Sequence, residues 1–184
     1  MTMTNSQAAT GSLNAGGPSG LSGQKVISAI ESANISYVLS VPDLHTSAGL
    51  LQPMANQPGL RIVRVCKEDE CFGIAAGLSF ASKRALILIQ YTGLLYAANA
   101  IRAISVEQQM PTCIMVGLLG KEPGIPPNQS GRMGVRFVEP LLQTMGIRHH
   151  LIETDDDIGI IAPEVEAAYA DPHPVAFLIG RRPA

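Results

Sequence analysis

The most chemically loaded stretch of the chain is Cys66-Lys67-Glu68-Asp69-Glu70, which runs directly into Cys71-Phe72-Gly73-Ile74-Ala75-Ala76-Gly77. Three acids in the first turn of a helix face the positive end of its dipole, and this alone accounts for Asp69 and Glu70. It does not account for the next two turns, where Gly73, Ala75, Ala76 and Gly77 replace large side chains. Glycine costs helix propensity, so something is expected to pack closely against that helix. A carboxylate at the mouth of a strand, on a helix pressed against another surface, suggests a site at an interface.

Other candidates are more open in meaning. Gln90 ends an apolar run, where an amide either bonds to nearby backbone or faces a ligand. Thr92 and Gly93 read as the turn after it. Asp43 suits a helix cap, and His45 either sits on a surface loop or contacts a substrate acid group and shuttles a proton. Arg132 and Arg136 flank Gly134 and are either solvated or partners for an anionic group. His149 and His150 adjoin a strand edge without recognisable site geometry. Cys66 and Cys71 lack the second Cys/His pair of a metal site and read as small core thiols.

Positioning these residues falls to a single domain. The 184 residues suffice for one core, and a charged fraction of only 15% suggests that another subunit covers some apolar surface. A net charge of −2 gives no reason to expect nucleic-acid binding. No apolar run is long enough to span a bilayer, and the N-terminus lacks the pattern of a signal peptide. Three cysteines make no disulfide framework, so a reduced cytoplasmic setting is expected. Residues 1–22 are nearly devoid of large apolar side chains and are expected to be flexible, leaving 23–184 as the domain.

Within the domain, strand-like and helix-like segments alternate. Val26, Ile27, Ile30 and Ala33 recur at helical spacing. Strands are expected at Tyr37–Val41, Leu60–Val65, Ala85–Ile89, Thr112–Val116, Arg148–Ile152 and Val175–Ile179. Helices are expected at Glu68–Ser82, Leu95–Gln108, Val135–Met145 and Ile160–Tyr169, with a long irregular loop rich in Gly and Pro from Gly117 to Met133. Apolar strands alternating with helices define an α/β fold: one doubly wound, mostly parallel, six-stranded sheet with helices on both faces. Ligands in such folds sit beyond the carboxyl ends of the strands, which directs attention to Pro42–Thr46, Cys66–Glu70, Gln90–Tyr96 and Gly117–Gly134.

Glu68 followed by Gly73-Ile74-Ala75-Ala76-Gly77 resembles the cofactor-glutamate helix of thiamine-diphosphate-dependent decarboxylases. Ala85 to Gln90, then Tyr91-Thr92-Gly93-Leu94, resembles the strand and turn that follow it, and Asn99 and Pro111 through Gly117 continue the similarity. Val41-Pro42-Asp43 resembles the equivalent loop of sulfopyruvate and phosphonopyruvate decarboxylases. The likeness runs from about Gly23 to Pro183 and is nearest to sulfopyruvate decarboxylase alpha subunits. Two places depart from those relatives: Gly93-Leu94-Leu95-Tyr96 replaces a Gly-Leu-Gly-Asn turn, and Leu44-His45-Thr46 replaces a Ser after Pro-Asp.

The resemblance implies the pyrimidine-binding (PYR) domain of the thiamin-diphosphate-binding fold. It implies that Glu68, five residues before Gly73, is catalytic and activates the cofactor through the pyrimidine nitrogen. It implies that Glu68, Gln90, Thr92, Gly93 and Leu94 bind thiamine diphosphate, and that Asp43, His45 and Gln90 face a small 2-oxo acid substrate. The family's Gly-Asp-Gly motif, which holds magnesium and the diphosphate, does not occur in this sequence. A beta subunit is therefore expected to supply it, with this chain inactive alone. A carboligase subunit or a non-catalytic scaffold is the alternative. A nucleotide-binding protein is disfavoured, since no Gly-x-Gly-x-x-Gly follows a strand and opens a helix.

Overall fold

The computed structural model describes residues 20–184. Residues 1–19 of the segment expected to be flexible lie outside the described residues. Of the remainder, Leu21 is buried in the core, and Ser22 caps the first helix while its own N–H donates to Asp155 Oδ1 at 2.8 Å.

The chain runs α1 (Gly23–Ser32), β1 (Tyr37–Ser40), α2 (Gln52–Met54), β2 (Arg61–Arg64), α3 (Glu68–Phe80), β3 (Ala85–Gln90), α4 (Tyr91–Tyr96) and α5 (Ala98–Ala100). It continues through β4 (Cys113–Gly117), α6 (Met133–Arg136), α7 (Val138–Thr144), β5 (Arg148–Ile152), α8 (Ile161–Ala170) and β6 (Val175–Ile179). The six strands of the sheet are all parallel, in the order β2-β1-β3-β4-β6-β5.

The apolar strands are explained by burial on both faces. Side chains alternate across a strand, so Leu86 and Leu88 of β3 join Val38, Met115 and Phe177 in one layer of the core. Ala85, Ile87 and Ile89 join Leu39, Ile114, Val116 and Leu178 in the other. Val26, Ile27 and Ile30 of α1 and Val165 of α8 close the first layer. Phe72 of α3, Leu94 of α4, Ile101 and Leu142 of α7 close the second. The edge strand β2 carries arginines at both ends, and these keep its open side solvated.

Four elements differ from the sequence expectation. The helix after β3 starts at Tyr91 rather than Leu95, because Gln90 is extended (φ −82, ψ 160) and the helical path follows at once. Thr92 and Gly93 are therefore in a helix, not a turn. Buried Leu94, Ala97 and Ile101 reward that path despite the weak helix formers, and it passes into a π-helical stretch at Ile101–Glu107. A further helical segment, Ser47–Leu51 in π register leading into α2, arises between β1 and β2, where Leu50, Leu51 and Met54 are buried. The helix expected at Val135–Met145 is two pieces that meet at Phe137. Ahead of α8, Asp155–Ile160 forms a 3-10 turn capped by Thr154 and Asp157.

Among the described residues, no helix is long and apolar enough to cross a membrane. Cys71 is a core thiol as expected, Cys113 is buried as well, and burial pushes both up to about 12. Cys66 is exposed instead, in the short link between β2 and α3.

Candidate active site

From β1 the chain goes to β2 on one side of the sheet and then crosses to β3 on the other, so the strand order reverses between β1 and β3. The carboxyl ends of the strands at such a switch point leave a crevice. A cleft of about 460 Å³ opens there. Val41, Pro42, Asp43, Leu44 and Ser47 line its β1 side, Glu68 comes from the first residue of α3, and Gln90 and Thr92 come from the end of β3 and the start of α4.

The three acids of α3 divide their work. Glu70 Oε2 turns back to accept from the backbone N–H groups of Cys66 (3.1 Å) and Lys67 (3.3 Å), satisfying donors that the helix start leaves open. Glu68 instead lines the cleft. Its side chain lies against the backbone of α4: a Cβ built on Gly93 would meet Glu68 Cγ at 2.3 Å and both Cδ and Oε1 at 2.6 Å. Gln90 Nε2 donates to Thr92 Oγ1 at 2.9 Å, which ties these two lining side chains to each other.

The β1 wall is a built loop. Asp43 Oδ1 accepts from the N–H groups of His45 (2.5 Å) and Thr46 (2.7 Å), and Oδ2 accepts from Thr46 Oγ1 (2.6 Å). Ser47 Oγ accepts from Asp43 N–H at 3.0 Å. These bonds hold a turn over residues 44–46; the cap expected of Asp43 falls instead on Thr46, the residue before the helical segment at Ser47, and no side chain bonds there as a cap. Ser47 was missed as a lining residue, although an Asp that bonds the backbone two and three residues on marks a tight turn that brings the next residues back beside it.

His45 is adjacent in sequence but is not among the cleft-lining residues. It is buried, and its Nε2 sits 3.0 Å from the carbonyl oxygen of Ile179 at the end of β6. That carbonyl also accepts from Leu118 N–H at 3.0 Å, so the histidine pins the β1 loop to the ends of β4 and β6. Gly117 leaves room for this contact, since a Cβ there would meet Thr46 Cγ2 at 3.0 Å and His45 Cβ at 3.3 Å. Burial holds the imidazole below its usual 6.5, with Asp43 and the Ile179 carbonyl opposing in part. The unfolded chain then takes up a proton that the folded chain resists. The stability tied to neutral His45 is whole above 6.5 and is lost as pH falls below it. The expected outcome is a urea midpoint that declines with acidification below 6.5, and declines less in His45→Gln, whose amide can still donate to Ile179. Equal declines in the two proteins would contradict this.

The remaining candidates lie elsewhere. Leu94 is fully buried in the layer beneath α3 and α4, so its side chain belongs to the core rather than to the cleft. Arg136 donates to the Ser130 carbonyl at 2.7 Å, and a Cβ on Gly120 would touch Arg132 Nε at 2.9 Å. Both arginines thus brace the loop after β4. His149 Nδ1 lies 3.0 Å from the Ile147 carbonyl oxygen. His150 stacks on Phe177 at 6.2 Å between centroids and faces Glu164 at 3.6 Å. A Cβ placed on Gly73 or Gly77 would meet nothing among the described residues within 4 Å, and Phe80 on the same helix is 83% exposed. The close packing expected at Gly73 and Gly77 is not found among the described residues.

Sequence reasoning also missed an ion pair: Lys121 Nζ, with its side chain fully buried, lies 2.6 Å from Glu153 Oε1. The partners are 32 residues apart, and no local pattern links them.

Fold and cleft define a doubly wound, all-parallel α/β domain that presents a carboxylate and two mutually bonded polar side chains at its topological switch point. No model of a known protein family matches the chain. Over most of its length it is a distant homologue of sulfopyruvate decarboxylase alpha subunits. The protein of that name from Methanocaldococcus jannaschii is 29% identical over 154 residues, which cover 83% of this chain and 89% of the relative. The one from Methanothermobacter thermautotrophicus is 30% identical over 101 residues, covering 55% and 61%.

Proposed function

We propose that this chain is the pyrimidine-binding subunit of a hetero-oligomeric thiamine-diphosphate-dependent 2-oxo acid decarboxylase, like the relatives named as alpha subunits of sulfopyruvate decarboxylase. The observation that carries the reading is the placement of Glu68 in the switch-point cleft, while its neighbour Glu70 is occupied by the helix start. The cradle at Gly93 fits the cofactor's requirement for a fixed carboxylate.

When bound, thiamine diphosphate supplies a thiazolium carbon that adds to the keto group of the substrate and accepts the electrons released as carbon dioxide leaves. Glu68 shares a proton with the pyrimidine nitrogen, and its enclosure between α3 and α4 keeps its position fixed. Thr92 and Gln90 present one hydrogen-bonded pair to the same cleft, and Leu44 provides apolar cover at its edge. A beta subunit holds magnesium and the diphosphate through a Gly-Asp-Gly motif, and cytoplasm is the compartment this assembly suits.

One observation favours a broader substrate reading. Among the described residues, no lysine, arginine or histidine lines the cleft. A sulfonate or phosphonate group then meets a cation of the partner, or the substrate is a 2-oxo acid without a second anionic group. The test is affinity capture of the tagged chain from its source cells with mass identification of what co-purifies. The expected result is a chain of similar size containing Gly-Asp-Gly and a downstream Asn. Capture of this chain alone, with tight binding of thiamine diphosphate and magnesium, would contradict the proposal.

A further inference from the structure

Gly93 stands where a glycine is costly. It is buried inside α4, and glycine within a helix is less favourable than alanine. Its backbone does not require glycine either: among the described residues, the glycines with positive φ are Gly120, Gly124 and Gly146. The three nearest neighbours of a Cβ at position 93 all belong to one side chain, Glu68, at 2.3 Å (Cγ), 2.6 Å (Cδ) and 2.6 Å (Oε1). By contrast, Gly73 and Gly77 on α3 meet nothing of the described chain within 4 Å.

The nearest of those atoms is Cγ, next to the root of the Glu68 side chain. A methyl group on residue 93 cannot be accommodated by a small swing of the carboxylate tip. The side chain must turn about its first torsion, and the carboxylate then leaves its place in the cleft.

We propose that Gly93 is a positioning residue for Glu68: its missing side chain forms the notch in α4 that holds the carboxylate at the cleft. The proposal rests on reading Glu68 as the proton-sharing group. It assigns Gly93 a different task from contact with the cofactor. The two residues are 25 positions apart on different helices, and β3 brings them together by delivering the chain into α4 with no intervening loop.

The test is a double-mutant cycle between Gly93→Ala and Glu68→Ala, read first by the thermal midpoint of the isolated chain, which needs neither cofactor nor partner. Gly93→Ala is expected to lower Tm by about 2–4 °C in the wild-type background. With Glu68→Ala present, Cγ, Cδ and Oε1 are gone, and Gly93→Ala is expected to leave Tm unchanged or raise it. If Gly93→Ala does not fold, folding of the double variant is the same positive result. A Tm change of equal size in both backgrounds overturns the proposal.

The second reading uses the assembled enzyme. Gly93→Ala is expected to lower kcat about as far as Glu68→Gln with substrate KM within severalfold of wild type, and combining the two is expected to lower it no further. Wild-type kcat in Gly93→Ala overturns the positioning role whatever Tm does. Wild-type kcat in Glu68→Gln removes the functional reading instead, and leaves the thermal coupling to be judged by itself.

Discussion

On the proposed function, Glu68→Gln is expected to lower kcat of the assembled enzyme by about 100- to 10,000-fold, the span that a positioned acid–base group contributes. Glutamine has nearly the same shape, fits the notch at Gly93 and still forms hydrogen bonds, so folding and assembly are retained. What it cannot do is share a carboxyl proton with a ring nitrogen. The neighbouring change gives the opposite profile. Glu70→Gln weakens the carboxylate that accepts from Cys66 and Lys67 N–H, costing about 1 kcal/mol of stability, while turnover stays near that of wild type. Turnover in steady state and Tm, measured on both variants, check the pair. A loss of turnover in Glu70→Gln with none in Glu68→Gln would exchange their roles.

Lys121→Met is the largest expected loss of stability. The ammonium is fully buried and bonds to Glu153 Oε1 at 2.6 Å and to the Glu122 carbonyl at 3.0 Å, while the Glu153 side chain is 16% exposed. Removing one partner of a buried pair leaves the other uncompensated, which costs about 3 kcal/mol, or roughly 6–12 °C in Tm for a chain of this size. The pair joins the loop after β4 to the residue after β5. Adding Glu153→Leu should return most of the loss, because two apolar side chains of similar size need no charge partner. Calorimetry of the three proteins checks this. A double variant no more stable than the single one would show that the charges are not the issue.

The fold was legible where burial is two-sided. Ala85–Ile89 and Val175–Ile179 contain almost nothing but apolar residues, and only a strand covered on both faces needs that. The helix start with its small-residue turns draws attention to residues 66–77, but it is the resemblance, with its glutamate five residues before Gly73, that separates Glu68 from Glu70. The segment at Ser47–Met54 was not, since Pro53 and the glycine at 49 mask a helix that exists to bury Leu50, Leu51 and Met54. Thr92-Gly93 reads locally as a turn; α4 forms there because Leu94 is drawn into the core, while a side chain at 93 would collide with Glu68 from another helix. His45 shows the same limit. A histidine after Pro-Asp suggests a reactive loop, yet its partner is a carbonyl 134 residues away. Contacts at long sequence separation leave no periodic trace, so they decided each of these cases.

The measurement that reaches the central claim most directly is carbon dioxide release from a panel of 2-oxo acids headed by sulfopyruvate. It is made with this chain, with the co-purifying partner, and with their mixture, each in the presence of thiamine diphosphate and magnesium. A half-site predicts turnover in the mixture alone, and its loss when Glu68→Gln replaces the wild-type chain. Turnover by this chain without the partner, or an undiminished rate with Glu68→Gln in the mixture, would contradict it.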